Sequence, residues 1–451
     1  MSESRAQFAT RLGVIATTVG SAVGLGNVWR FPFEAGANGG GAFLLIDIFF
    51  VFVIGIPVIC AEFIIGRHTG LNVRGAFRLL APGKAWGGIG YLGILASILI
   101  LSFYSVVAGW TLEYIFQSLT SFGGVDSVDG LHNQFDTFAA SNWRPLMWTI
   151  IFLLFNYLII ARGVQKGIEK MSNIMMPLFF LILIVFCINS LRMPGAKEGL
   201  DFLFKPDFSK VTPKVALSAM GQAFFSLSLG LGCLITYSSY FSKQTPLVKT
   251  AGIMASLDTL VAIMAGVVIF PAVFTFGMEP AAGPKLVFEI LPSIFMHMSG
   301  GMIWSTLFFL LLFLASLSST ISMSEITIAY MTDEFKFSRR KASITNTVTA
   351  IILGSLCALS FGALSDWTIC GKTVFGLFDY VSSNILLPLG GMLISIFVGW
   401  VLNSKVVKSE LSPKGSRVPM WVVKAIVFCL RFVAPTCIAL VFLYGLGLFS
   451  F

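Results

Sequence analysis

The polar groups that could do chemistry in this chain sit where they are most costly. Asp258 and Glu62 lie inside long apolar runs, and Asn27 follows the glycines at 20, 24 and 26 of RLGVIATTVGSAVGLGNVWRFP (11–32). Ser226, Ser228, Gly230 and Gly232 cluster in SAMGQAFFSLSLGLGCLITYSS (218–239). An ionisable side chain costs about 2.5 to 3.5 kcal/mol or more to insert at the centre of a membrane helix, so it marks a function unless it is a protonated group that merely hydrogen-bonds. The glycines carry a related message. A backbone break in hydrocarbon strands peptide groups at several kcal/mol each and is tolerated only where protein or a polar cavity satisfies them. Two half-helices meeting at Gly24-Leu25-Gly26 aim one N-terminus and one C-terminus, opposite partial charges, into a single small volume. The hydroxyl pair Ser318-Ser319 reads as ordinary helix packing on its own. Set opposite the broken stretch 20–23, it reads as a pair of oxygen ligands for a hard cation.

These groups need a membrane bundle to hold them. The chain of 451 residues is 56% hydrophobic and 11% charged, with 44 Phe, whereas an average soluble domain is about 25% charged. Mostly apolar runs long enough to span a bilayer number about eleven, at 11–36, 42–66, 88–118, 145–161, 169–190, 215–240, 247–276, 301–331, 343–362, 374–402 and 420–448. The expected class is an all-α integral membrane protein. The formal charge of +9 does not point to nucleic acid, because Lys and Arg concentrate in alternate loops. That bias places the N-terminus in the cytoplasm and, with an odd span count, the C-terminus outside. The seven cysteines lie in or beside spans, and His68, His132 and His297 lie in loops or a lid-like segment, so neither a disulfide framework nor an enzyme's nucleophile–base set is expected. No cleavable signal peptide is visible, and the absence of a glycosylation sequon favours a bacterial inner membrane over a glycosylated plasma membrane.

Spans one and six, two and seven, and three and eight begin a little over 200 residues apart (11 and 215, 42 and 247, 88 and 301). Two five-span repeats follow, 11–190 and 215–402, inverted because five is odd, with 420–448 as an extra helix in a single domain covering 1–451. The segment near 277–300, with Pro280, Pro284 and Pro292, reads as a short hairpin that could act as a lid.

ATRLG, GSAVGLGNVWRFP, NGGGAF, GQAFFSLSLG, ITYSSY and LASLSSTIS, in that order, resemble the neurotransmitter:sodium symporter family, most closely its bacterial amino-acid transporters such as the leucine transporter. The resemblance runs through the first ten spans. It implies the leucine-transporter-like fold, with helices 1 and 6 broken, and sodium-coupled symport of an amino acid by alternating access. It also implies two sodium sites. The first maps to Ala22, Asn27 through its side-chain oxygen, Ser226 and Asp258, completed by the substrate carboxylate; the second maps to Gly20, Val23, Ala315, Ser318 and Ser319. The leucine transporter has Asn at the position of Asp258 and Glu one turn later, where this chain has Ala262; animal relatives have serine there and need chloride. Asp258 already supplies the negative charge, so no chloride requirement is expected, and its protonation on the return step would export protons.

By the same resemblance the substrate carboxylate meets the N–H groups of Leu25 and Gly26 and the Tyr104 hydroxyl, while the ammonium meets oxygens near Ser21, Phe225, Ser226 and Ser228. Gly24 replaces the aspartate of monoamine carriers, which favours an α-amino acid. The side-chain pocket maps to Ile100, Tyr104, Phe225, Ser228, Leu231, Ser319 and Met323, wide and soft enough for large hydrophobic or aromatic substrates. Arg30 with Asp379 is the implied outer gate, and Arg5 with Asp333, supported by Ser239 and Tyr240, the inner one. Gly167 and Pro177 flank a stretch of span five that could unwind, and Glu62 is expected to brace the broken helices. A sodium-conducting channel or a non-transporting amino-acid sensor on the same fold are the rivals. A channel needs a continuous polar stripe, whereas the polar residues here converge on one point. The implied partners are the amino acid and the lipid bilayer; nothing in the chain sets an oligomeric state.

Overall fold

The computed structural model describes residues 6–125, 127–277, 286–413 and 418–448, and every regular element among them is helical. Eight helices are long and apolar enough to cross a membrane by themselves: Gly41–Thr69, Ala85–Leu119, Val164–Ser190, Leu247–Thr275, Gly301–Phe335, Arg339–Leu359, Val374–Val401 and Met420–Gly445. Three further crossings bring the bundle to eleven among the described residues. Arg144–Ile160 has 17 residues, about 25 Å at 1.5 Å per residue. The first and sixth spans are each made of two pieces, Arg11–Ala22 with Gly26–Ala37 and Pro213–Ser226 with Cys233–Ser238.

Helices that are apolar all round must be buried or face lipid, and the two cases separate clearly here. The most apolar stretch of Ala85–Leu119 is 78% buried, against 22% for Met420–Gly445. The third span is therefore the central post and the eleventh a peripheral one. The third span packs most extensively on the eighth, which in turn packs on pieces of both broken helices.

The breaks themselves are local chemistry. Thr10 caps the first span by accepting from the Gly13 N–H at 2.9 Å, and the helix runs to Ala22. Val23 then turns extended (φ −63°, ψ 114°). The chain resumes as a wide turn, in which the Phe31 N–H reaches back five residues to the Gly26 carbonyl, and the two axes differ by 51°. In the sixth span the helix stops at Ser226 and restarts at Cys233. Ser228 and Gly230 adopt left-handed φ of 53° and 82° between them. A left-handed serine is uncommon and strained, which favours a functional reason for holding it.

The loops at one end of the bundle carry the short helices Val128–Ala140, Ala196–Phe204 and Leu291–Met296. The last belongs to the expected lid. Pro292 is buried in it, while Pro280 and Pro284 lie outside the described residues.

Candidate functional site

The two breaks meet. The Leu25 N–H, freed by the bend, donates to the Tyr104 hydroxyl at 3.0 Å, and the Gly24 N–H donates to Asn27 Oδ1 at 3.1 Å. On the facing side the Ser228 hydroxyl donates to the Ser21 carbonyl at 3.1 Å, joining the sixth-span break to the first. Gly24 has no room for a side chain: a Cβ there would lie 2.6 Å from Ser319 Oγ and 3.0 Å from the Tyr104 hydroxyl.

Asn27, Ser226 and Asp258 form one buried cluster. Asn27 Nδ2 donates to Asp258 Oδ1 at 2.8 Å and to Ser226 Oγ at 3.0 Å, and the Ser226 hydroxyl donates to Asp258 Oδ2 at 2.5 Å. Here the Asn27 amide turns its NH2 end to the carboxylate and its oxygen to the Gly24 N–H. The carboxylate attracts the donor end, and Gly24 occupies the other. Val23, Ala315, Ser318 and Ser319 form a second cluster on the other side of the break. The hydroxyls of Ser318 and Ser319 both reach the Val23 carbonyl at 3.4 Å, Ser318 also donates to the Ala315 carbonyl at 2.9 Å, and Gly20 sits against the Ser318 side chain. Both clusters offer only carbonyl, hydroxyl, amide and carboxylate groups, a donor set for a hard cation.

Between them lies a cavity of about 40 Å³. Ala22, Gly26, Ile100, Tyr104, Phe225, Ser226, Ser228, Leu231, Ser319 and Met323 line it, as do Gly24 and Leu387. All seven residues mapped to the side-chain pocket thus share one wall, and Leu387 of the tenth span is an addition that its plain apolar setting hid. Ser21 and Leu25 reach the site through their backbone. Above it a vestibule of about 340 Å³ opens past Arg30, Glu34 and Asp379, with Tyr104 and Phe225 shared between the two spaces. Arg30 and Asp379 line this vestibule with no ion pair between them: the Arg30 guanidinium lies 4.3 Å over the Phe225 ring and pairs with Glu34 at 3.7 Å, and Asp379 accepts from Ser383 at 2.9 Å.

The opposite end is shut. The Phe8 N–H donates to the Tyr240 carbonyl at 3.0 Å, and the Phe8 ring packs edge-on to Tyr237 and Tyr240. Asp333 accepts from the Asn72 N–H at 2.9 Å; Arg5 lies outside the described residues. The Tyr240 hydroxyl donates to Glu325 at 2.6 Å, and Arg339 forks onto both oxygens of Glu325 at 2.8 and 2.6 Å. This buried pair was missed, though Glu325 inside a long span is itself a signal. Asp47, in LLIDIFF, was missed in spite of the same signal; it is 4% exposed and its Oδ1 has no hydrogen-bond partner among the described residues. Glu62 sits just before the second half of the sixth span, where its Oε1 accepts from the Gly230 N–H at 2.8 Å. A carboxylate at that half-helix's N-terminus satisfies peptide groups the break exposes.

The sequence profile described as Sodium:neurotransmitter symporter family matches residues 5–124 and 125–450. The chain belongs to the sodium:neurotransmitter symporter family. Within this family it is 39% identical to the sodium-dependent transporter YhdH of Bacillus subtilis (strain 168), with the whole of both chains aligned. It is 38% identical to a sodium-dependent transporter of Haemophilus influenzae over 98% of this chain and 99% of that one. Among solved structures, MhsT in complex with L-phenylalanine superposes with a TM-score of 0.90 at 46% identity, covering 98% of this chain and 100% of MhsT. As a member of this family the chain is a multi-pass membrane transporter with two inverted five-helix repeats and performs sodium-coupled symport.

Proposed function

We propose that the chain carries an L-α-amino acid with a bulky hydrophobic or aromatic side chain into the cell together with sodium, without chloride. The observation that carries this reading is the convergence of both helix breaks on one cavity beside a buried carboxylate. The first sodium would lie among Ala22, Asn27, Ser226 and Asp258, with the Asn27 amide rotated so that its oxygen replaces the NH2 end beside the carboxylate. The second would lie among Gly20, Val23, Ala315, Ser318 and Ser319. The substrate carboxylate would take the Leu25 N–H and the Tyr104 hydroxyl, and the ammonium the carbonyls beside Ser228. Gly24 provides no anion for a decarboxylated amine, and a larger residue would strike Ser319. L-Phenylalanine is the ligand named with MhsT, and Leu231, Met323 and Ile100 here give an apolar wall for such a side chain.

Alternating access follows from the two ends. The vestibule faces outward in the proposed topology, with the N-terminus cytoplasmic, the C-terminus outside and the chain in a bacterial inner membrane. Loading would draw Arg30 to Asp379 and bring Phe225 over the site. Release would part Arg5 from Asp333 and free the Phe8 segment. The repeats involved are 11–190 and 215–402, with 420–448 outside them.

The test is uptake of a labelled amino-acid panel into proteoliposomes under imposed sodium gradients. Phenylalanine and leucine should accumulate at least tenfold over a sodium-free control, and equally with chloride or gluconate outside. Accumulation that survives replacement of sodium by potassium would overturn the reading.

A further inference from the structure

We propose that the groove between the foot of the tenth span and one face of the eleventh binds the phosphate of an anionic glycerophospholipid, with Lys408, Lys424 and Arg431 as its cations. The groove has a volume of about 370 Å³, and none of its lining residues belongs to the transport site. Lys408 comes from the helix Ser404–Leu411, and Lys424 and Arg431 come from Met420–Gly445. Lys424, Phe428 and Arg431 follow one another at intervals of four and three residues, so they share one face of their helix. The groove lies at the end of the bundle closed by Phe8. Glu410 of the helix Ser404–Leu411 pairs with Arg67 at 2.7 Å, and Arg67 donates to the Thr245 carbonyl, a few residues beyond Tyr240.

The second observation is how Arg431 is held. It lies eleven residues past Met420, about 16 Å along the helix at 1.5 Å per residue, so it is a charge of the span and not of the loop. Its Nε donates to the Gly399 carbonyl at 2.7 Å, and its guanidinium lies 5.5 Å from the centre of the Trp400 ring. Gly399 permits this approach, since a Cβ there would lie 3.0 Å from the Leu430 carbonyl oxygen. A guanidinium carries five N–H groups, and four of them find no acceptor among the described residues. No acid lines the groove among those residues, and Glu410 nearby is turned to Arg67 and His68, at 2.7 and 3.1 Å. A charge within a span is costly without a partner. Phosphate is the anion that the bilayer itself supplies, and Arg can bind it through two parallel hydrogen bonds.

The flank of the groove selects a lipid over a free anion. Phe428 and Phe432 line it, and Trp400, Phe432 and Phe428 form a chain of ring contacts, each 5.4 Å between centres. These rings are 57, 48 and 57% exposed on a span whose most apolar stretch is only 22% buried, so they face hydrocarbon and can lie along an acyl chain. Lys408 and Lys424 are exposed beside them, where the headgroup would sit. Basic pockets between spans near a membrane surface take anionic head groups in this way. The tenth span ends here in the wide turn Phe397–Val401, after which Leu402 is extended. A phosphate shared by Lys408, Lys424 and Arg431 would therefore tie the foot of the tenth span to the eleventh.

Delipidated protein in detergent, titrated with phosphatidylglycerol and followed by native mass spectrometry, should retain one lipid per chain, at least tenfold in preference to phosphatidylcholine. Arg431→Gln should weaken retention at least tenfold. Lys408 and Lys424 are exposed, so the double variant Lys408→Gln/Lys424→Gln tests the site without disturbing the fold, and it should weaken retention at least fivefold. Lys341→Gln/Lys405→Gln removes two exposed charges outside the groove and should change it less than twofold. Bound phosphatidylglycerol should raise the unfolding temperature of the parent by several degrees, and that of the Lys408/Lys424 variant by less than half as much. Equal retention of phosphatidylcholine, or equal loss in the two double variants, would overturn the site. Displacement of the lipid by millimolar inorganic phosphate would show a free-anion site and overturn the lipid assignment. Retention with no change in unfolding temperature would overturn the tie between the two spans. None of these measurements needs transport, so they stand or fall apart from the proposed substrate.

Discussion

Asp258 is the residue on which the proposed coupling turns, because it holds Asn27 and Ser226 in one hydrogen-bonded group and carries the one charge in that group. Removing the charge while keeping the shape separates its two contributions. Asp258→Asn should leave uptake at least tenfold lower in chloride-free medium and partly restored by chloride, because an anion is then needed to balance the sodium. Paired uptake measurements in chloride and gluconate check this; a variant as active as the parent in both media would show that the carboxylate is not the balancing charge. Charges such as Asp258 and Glu62 were legible in the sequence because each interrupts an apolar run. Asp47 gave the same signal and was overlooked, and the pairings of Glu325 with Arg339 and of Glu169 with the Ala9 and Thr10 N–H groups were not legible. They depend on which helix ends come together in space, and neither composition nor spacing records that.

Among the elements, the fifth span combines a start that is already loose with a proline in its interior. Gly163 begins it with φ of 89°, the stretch Val164–Glu169 is a wide turn, and Pro177 lies inside Lys170–Ser190. In this conformation the segment from 167 to 177 is wound. Proline removes one ladder hydrogen bond and disfavours the helix by about 3 kcal/mol relative to alanine, so Pro177→Ala should resist the unwinding through which the second sodium would leave. The expected outcome is uptake at least tenfold slower with sodium-dependent substrate binding in detergent changed less than twofold. Equal slowing of both would place the effect in binding instead. The spans themselves could be read from the sequence to within a few residues because lipid demands long apolar runs. The fifth was placed starting at 169 because the polar stretch VQKGIE hid its first turn, and the helix Val128–Ala140 was unread because its polar composition suits a loop as well as a helix.

For the molecule as a whole, the proposed transport cycle is a balance between two seals, and in this structure the one at the N-terminal segment is made. The vestibule reaches down to Phe225 and Tyr104, whereas the N-terminal segment is bound at the opposite end by two independent attachments. Glu169 accepts from the Ala9 N–H at 2.8 Å and the Thr10 N–H at 3.0 Å, tying the first span to the fifth. The Phe8 ring, 8% exposed, fills the space among Tyr237, Tyr240 and Phe241 of the sixth. Truncating a buried phenylalanine costs on the order of 3 kcal/mol, and the loss falls on the inward-closed state alone if the segment leaves its seat on opening. A difference of that size changes a two-state ratio by about a hundredfold. Phe8→Ala should therefore populate the inward-open form without unfolding the bundle. Hydrogen exchange followed by mass spectrometry should show the peptides over 7–22 and 164–177 exchanging at least tenfold faster, with those of the third and eighth spans unchanged. Apparent sodium affinity should fall at the same time, because an open inner end exposes the second cluster to solvent. Exchange that rises uniformly along the chain would mean that Phe8 supports the fold and not the seal, and the two-seal account of alternating access would fail with it.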